Sequence, residues 1–345
     1  MQGRKVLVTG GSGYFGSRIL QLLLERGAEC RSFDRMAPDE CPPEVEFFQG
    51  DILDLQAIKK ACEGVSIVYH NVAQLPLAKN TGLFERVNVQ GTEVMCQAAL
   101  ETGVEKVVAT STCAIYGAPK RNPVTEKTPP SPGESYGRTK YESELVCYKY
   151  RDKGMDISIL RPDTIVGTGR LGIFQILFEW LYEGRNIPVF GKGGNLYQFI
   201  HGDDFAEVSI LASLRQGSED YNCGTDRFGT MRELMEHLCE HAGTGSRVRN
   251  LPATPMVWGM KFTSALGMSP LGAYHSLMFA KEIYFDITKA KSELGWQPKY
   301  SNNEMFAQNY DWYLESREAI LSSPGVSEHT SAVKEGILAI VKRLL

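Results

Sequence analysis

Tyr136 and Lys140 bracket the run Tyr136-Gly137-Arg138-Thr139-Lys140, and residues four apart on a helix share one face, so a phenol and an ammonium would project together. A free tyrosine with a pKa of ~10 is a poor base near neutrality, and a neighbouring cation draws it toward a useful range. A hydroxyl that holds the reacting oxygen would complete such a set, and Ser111-Thr112-Cys113 offers candidates at the end of an apolar run. The chemistry available is reversible proton transfer at an alcohol or a carbonyl. The same spacing also arises on a plain exposed helix with a snorkelling lysine.

The second chemical feature is Thr9-Gly10-Gly11-Ser12-Gly13-Tyr14-Phe15-Gly16, which follows a short β-branched run and opens an amphipathic one. Glycines there permit a tight turn and close approach of backbone amides to a pyrophosphate, and a helix N-terminus favours its charge. Gly10, Gly13, Tyr14, Phe15 and Gly16 are therefore candidate dinucleotide-binding positions. Asp34 ends the next strand-like run, where a carboxylate accepts from the adenosine ribose hydroxyls and opposes a 2′-phosphate. NAD is the expected cofactor, with NADP the alternative because Arg35 and Arg31 flank that carboxylate. Asp51 and Ile52 follow the third strand, and Asp51 can either reach the adenine or cap a helix.

The elements that must position these residues alternate in character. Apolar runs at Lys5–Thr9, Glu29–Asp34, Ser66–Asn71, Lys106–Ser111 and Asp156–Arg161 are separated by amphipathic runs at Ser17–Arg26, Leu55–Cys62, Asn88–Thr102 and Tyr136–Lys153. That order predicts an α/β doubly wound parallel sheet (a Rossmann-type fold) with a smaller, mostly C-terminal substrate lobe. The expected division is a dinucleotide-binding domain over residues 1–170, with 196–225 returning to it. A substrate lobe takes 171–195 and 226–315, and a C-terminal helical tail takes 316–345.

With 345 residues, 43% hydrophobic and 23% charged, the chain can bury a sizeable core. A net charge of −4 and a pI near 6.0 give no field that would gather nucleic acid. No window of about 20 apolar residues exists to span a membrane. Eight cysteines without a C-x-x-C pair point to reduced thiols and a cytoplasmic setting. His237 and His241 lack a third ligand nearby, so no metal is expected.

The motifs in their order resemble the extended short-chain dehydrogenase/reductases, often labelled NAD-dependent epimerase/dehydratase. The glycine run is followed by Gly50-Asp51, His70-Asn71-Val72-Ala73, Asn88-Val89-Gln90-Gly91-Thr92, Ser111-Thr112-Cys113-Ala114-Ile115-Tyr116-Gly117 and Tyr136-x-x-x-Lys140. Leu160-Arg161-Pro162, Phe199-Ile200-His201-x-Asp203-Asp204 and Lys289-Ala290-Lys291-x-Glu293-Leu294-Gly295-Trp296 come later.

The resemblance implies that Tyr136 is the acid/base, that Lys140 binds the nicotinamide ribose and lowers the Tyr136 pKa, and that Thr112, beside Ser111, holds the reacting oxygen. It further implies that Ala73, Asn88 and the backbone at Pro162 line the cofactor and that Tyr116 borders the nicotinamide. Cys113 and His201 are expected to be structural.

Sugar-nucleotide members of this family place a diphosphate-clamping arginine where this chain has Tyr197, and a second near Lys281. Pro255–Met278 is similar to the apolar segment of 3β-hydroxysteroid dehydrogenases. The leading expectation is hydride transfer between a secondary alcohol or ketone, a small-molecule substrate, and NAD. The alternatives are a nucleotide-sugar epimerase or dehydratase, and a dinucleotide-sensing protein without turnover. A homodimer through Asn88–Thr102 and Tyr136–Lys153 is expected.

Overall fold

The computed structural model describes residues 1–38, 42–74, 82–172, 174–252 and 281–322. Pro255–Met278 and the amphipathic C-terminal stretch Ala332–Leu345 lie outside them.

Strand β1 (Lys5–Thr9) has Val6, Leu7 and Val8 fully buried, so both of its faces are covered, as a central parallel strand requires. Around it, β2 (Glu29–Asp34), β3 (Val45–Gln49), β4 (Ile67–His70), β5 (Lys106–Thr110), β6 (Ile157–Pro162) and β11 (Asp220–Cys223) form one seven-stranded sheet in the order β11-β6-β5-β4-β1-β2-β3. Every pairing is parallel. Helices α1 (Tyr14–Glu25), α2 (Leu55–Cys62), α4 (Gly91–Thr102), α5 (Ser135–Arg151) and α7 (Gly202–Leu214) accompany it. A short α3 (Gly82–Phe84) and a π-helical turn (Glu85–Gln90) lead into α4. The chain moves outward from β1 through β2 to β3, then back to β4 on the other side. This reversal opens a crevice at the carboxyl ends of β1 and β4, where ligands bind in such sheets.

A second layer gathers β7 (Ile165–Val166), β8 (Ile187–Phe190), β9 (Leu196–Tyr197), β10 (Ile200–His201), β12 (Gly229–Thr230) and β13 (Val248–Leu251) into three two-stranded pairs. They surround α6 (Phe174–Tyr182), α8 (Met231–Ala242) and α10 (Asn302–Ser322), while α9 (Thr288–Leu294) packs near β11. The core here is aromatic, with Phe174 and Phe199 both in edge contact with Phe306, and Phe178 against Tyr310 and Tyr313. Helix α8 is held by a capping box between Thr230 and Glu233. Helix α10 runs unbroken through residue 316 into the expected tail, because Met305, Phe306, Tyr310 and Tyr313 bury its inner face.

One buried network fixes α5 against the sheet. Arg161 on β6 makes a two-pronged contact with Glu144 of α5 at 2.9 and 2.8 Å, and reaches Asp220 of β11 at 2.8 Å. Paired charges in the interior hold when every donor is satisfied, as this fork is. Helix α5 carries Tyr136 and Lys140, so the network sets where they point.

Candidate active site

The glycine turn closes between β1 and α1. Gly10 sits at φ +72 and its carbonyl accepts from the Gly13 amide at 3.1 Å. A Cβ on Gly16 would lie 2.0 Å from the Gly10 carbonyl oxygen, so only glycine lets helix and turn meet so closely. Helix α1 starts with no side-chain cap at Gly13, which leaves its first amides for a ligand. The side chains of Tyr14 and Phe15 are buried, Phe15 against Phe205 at 4.4 Å.

These residues form one end of a cleft of about 370 Å³ that reaches from Asp34, Arg35 and Ile52 inward to Thr112, Tyr136 and Lys140. Gly10, Gly13, Gly16, Ala73, Ser111 and Pro162 also line it. Asp34 accepts from the Ser12 amide at 3.2 Å and from the Arg35 amide at 2.7 Å, which holds its carboxylate at the rim. Arg31 does not join it. Its guanidinium binds Glu46 at 2.7 Å and the carbonyls of Ala61 and Glu63, because strand alternation turns positions 31 and 34 to opposite faces.

Three expected positions sit away from the cleft surface. Asp51 folds back to the Leu53 amide at 3.0 Å. Asn88 is fully buried beneath the cleft wall, where it accepts from the Gln74 amide at 2.7 Å and donates to Thr139 at 3.1 Å. It positions the Ala73–Gln74 segment. Tyr116 does not border the cleft either, and its hydroxyl joins the Arg161 network at 2.9 Å. The tight 3-10 turn Cys113–Tyr116, capped by Thr112 through the Ala114 amide at 3.2 Å, winds Tyr116 into the core. Cys113 is buried and donates to the Arg161 carbonyl at 3.0 Å, and His201 accepts from the Asp203 amide at the start of α7. Neither lines the cleft.

At the inner end Tyr136 and Thr112 line the cleft together, and Thr112 slightly favours the ionised phenol. Burial, and after it the Glu134 carboxylate, push it up to about 12, and Arg170 pulls in the opposite direction. Arg170 thus acts on the phenol as a cation beside it. Lys140 donates to the Thr110 carbonyl at 2.6 Å, and burial lowers its ammonium to about 8. Sequence reasoning missed Arg170 and Asp163, both of which line the cleft. Their signal was faint: they follow Pro162 in the loop segment that leads away from β6. Among the described residues no cluster of three metal-ligating side chains occurs.

The residues fit a dinucleotide. Near the inner end, Asn71 Nδ2 and Ser111 Oγ are buried polar atoms with no protein partner, and such atoms persist in native structures when a ligand satisfies them. The glycine turn supplies amides for a pyrophosphate and Asp34 stands where a ribose would lie.

A parallel sheet with this crevice and this set of groups defines a dinucleotide-dependent oxidoreductase. A sequence model of the NAD dependent epimerase/dehydratase family matches residues 6–224, and the chain belongs to that family. It is an enzyme that uses NAD. A protein of Sinorhizobium fredii named Uncharacterized protein y4nG is 48% identical over 339 residues, covering 98% of this chain and 85% of that one. The 3 beta-hydroxysteroid dehydrogenase/Delta 5-->4-isomerase of Mycobacterium tuberculosis is 25% identical over 363 residues, with 96% of each chain covered. The crystal structure of UDP-glucose 4-epimerase with UDP-glucose from Thermotoga maritima superposes with a TM-score of 0.77 at 25% identity, covering 91% of this chain and 99% of that one. No helix among the described residues is long and apolar enough to cross a membrane.

Proposed function

We propose that this oxidoreductase interconverts a secondary alcohol and a ketone, with Tyr136 exchanging the hydroxyl proton, Thr112 holding the reacting oxygen and Lys140 holding the nicotinamide ribose. The observation that carries this reading is the convergence of Thr112, Tyr136 and Lys140 on the inner wall of a cleft whose outer end is the glycine turn. Bound NAD supplies the hydride acceptor. The phenol begins as the acid, and it accepts a proton only once positive charge beside it offsets its burial. Leu171 and Phe174 add an apolar wall at the inner end, which supports reading 171–195 with 226–315 as the lobe that holds the substrate.

A second reading, a nucleotide-sugar epimerase or dehydratase with transient NAD reduction, is favoured by Arg170. Besides Lys140 and the rim residue Arg35, Arg170 is the only cation lining the cleft among the described residues. Lys281, near which the resemblance places the second clamp, does not line it. The two readings differ in redox balance. NADH accumulation with a secondary alcohol, read by nicotinamide absorbance, supports the first. Isomerisation or dehydration of a UDP- or TDP-sugar without net NADH would put the second ahead.

A homodimer through α4 and α5 is supported by Leu100 and Leu145, which are 41% and 46% exposed on those helices. Sedimentation of the wild type beside Leu145→Glu tests it, with a monomeric wild type ruling it out. Among the described residues, seven cysteines are free and buried, which supports a reducing, cytoplasmic setting.

A further inference from the structure

Asp163 follows directly on Pro162, the last residue of β6, and its amide donates to the Cys223 carbonyl at 2.9 Å. The backbone is therefore fixed between β6 and β11. One carboxyl oxygen, Oδ1, accepts from the Thr164 amide at 2.6 Å. The other, Oδ2, is buried and has no partner, although the residue lines the same cleft as Thr112, Tyr136 and Lys140. The residue is only 4% exposed. The Thr164 amide and side chain favour its charged form, the neighbouring Cys113 thiol is itself turned to the Arg161 carbonyl, and no ion pair forms at Asp163 among the described residues. A buried carboxyl oxygen without hydrogen bond or counter-ion is unfavourable on its own, and it becomes favourable when a ligand group meets it.

We propose that Asp163 is a specificity-determining residue whose Oδ2 hydrogen-bonds a second polar group of the substrate, beside the alcohol that Tyr136 deprotonates, so that the substrate is a polyol or hydroxy-ketone. The inference rests on the acid/base reading of Tyr136. Burial pushes the Asp163 carboxyl up to about 8, so near neutrality it is largely protonated and can donate as well as accept. A site built to meet a hydroxyl discriminates strongly against an analogue that lacks it, because the protein group is then left buried and unpaired.

The test compares NAD-loaded wild type, Asp163→Ala and Asp163→Asn with trans-1,2-cyclohexanediol and cyclohexanol. Wild type should prefer the diol by about tenfold or more in kcat/KM; the alanine variant should lose that preference, and asparagine should keep part of it. The Kd for NAD should stay within about twofold in both variants, and their melting temperatures show whether they fold. An unchanged diol preference in Asp163→Ala overturns the proposal. So does a loss of NAD affinity with the preference intact, which would assign Oδ2 to the cofactor.

If neither alcohol is oxidised, the same comparison is read from thermal shifts with UDP-glucose, which carries adjacent sugar hydroxyls, against UDP. Equal extra shifts in wild type and Asp163→Ala, or none in wild type, overturn it. Failure of the underlying reading shows separately, as a Tyr136→Phe variant that keeps wild-type turnover while the Asp163 effects persist.

Discussion

The two ends of the cleft are built on different principles. At the outer end the carboxylate and the turn are already held within the protein: Asp34 takes the Ser12 and Arg35 amides, and the Gly10 carbonyl takes the Gly13 amide. At the inner end Asn71 Nδ2, Ser111 Oγ and Asp163 Oδ2 are buried without partners, the Tyr136 phenol is raised to about 12 and the Lys140 ammonium lowered to about 8. The outer end offers a backbone shape already set by the turn. The inner end keeps desolvated groups whose energies change most when a charged, hydrogen-bonding ligand arrives, and such groups cluster where chemistry occurs.

If that contrast is right, damage at the inner end falls on turnover and damage at the outer end on cofactor choice. The largest effect is expected for Tyr136→Phe, which should lower kcat by about 10²–10⁴-fold while the NAD Kd moves less than about twofold. A folded Phe variant with wild-type kcat would erase the contrast. Lys140→Met should rank next, with kcat down about 10²-fold and NAD binding weaker by about tenfold, since it would remove the proposed ribose contact and a charge together. Fluorescence titration showing full NAD affinity would detach Lys140 from the ribose.

At the outer end, Asp34→Ala should leave kcat close to wild type and shift preference toward NADP by about tenfold. Arg35 alone would drive that shift, because Arg31 is held by Glu46 and two carbonyls. Titrating both dinucleotides against the two proteins checks the direction. Tighter NADP binding by the wild type would show that the carboxylate does not govern the choice.

The smallest effect concerns stability. Because the folded Asp163 holds its proton up to about pH 8, while an unfolded aspartate releases it near ~4, folding stability is lost as pH rises across that window. Asp163→Asn lacks this titration, so its melting temperature should gain on wild type by about 2–4 °C between pH 5 and pH 9. A gap constant with pH would show that Asp163 is not buried as described.

Much of the site was legible because its signals are local. The Gly10–Gly16 turn and the Tyr136/Lys140 pair each lie within one turn or one helix, where spacing alone sets geometry. Tyr116 was misread because four residues of 3-10 helix rotate a side chain differently from an α-turn, and the Arg161 guanidinium draws its hydroxyl inward. Arg31 needed only the two-residue alternation of a strand, so its position was available from the sequence. Arg170 and Asp163 were not. They reach the cleft by the path of the chain after β6, which depends on pairings with β10 and β11 far along the sequence.

Strand β11 also governs when the molecule can come together. It supplies Asp220 to the Arg161 cluster and the Cys223 carbonyl to the Asp163 amide, yet it lies more than fifty residues after β6. Until synthesis has passed Cys223, β6 is an open parallel edge with an unshielded row of amides and carbonyls, and Arg161 lacks one of its two counter-charges. A nascent chain ending near residue 170 would have the whole glycine turn and Tyr136 but no closed sheet. Closure over that sequence separation is slow compared with forming α5, so this interval is when the chain is most prone to pair with a neighbour.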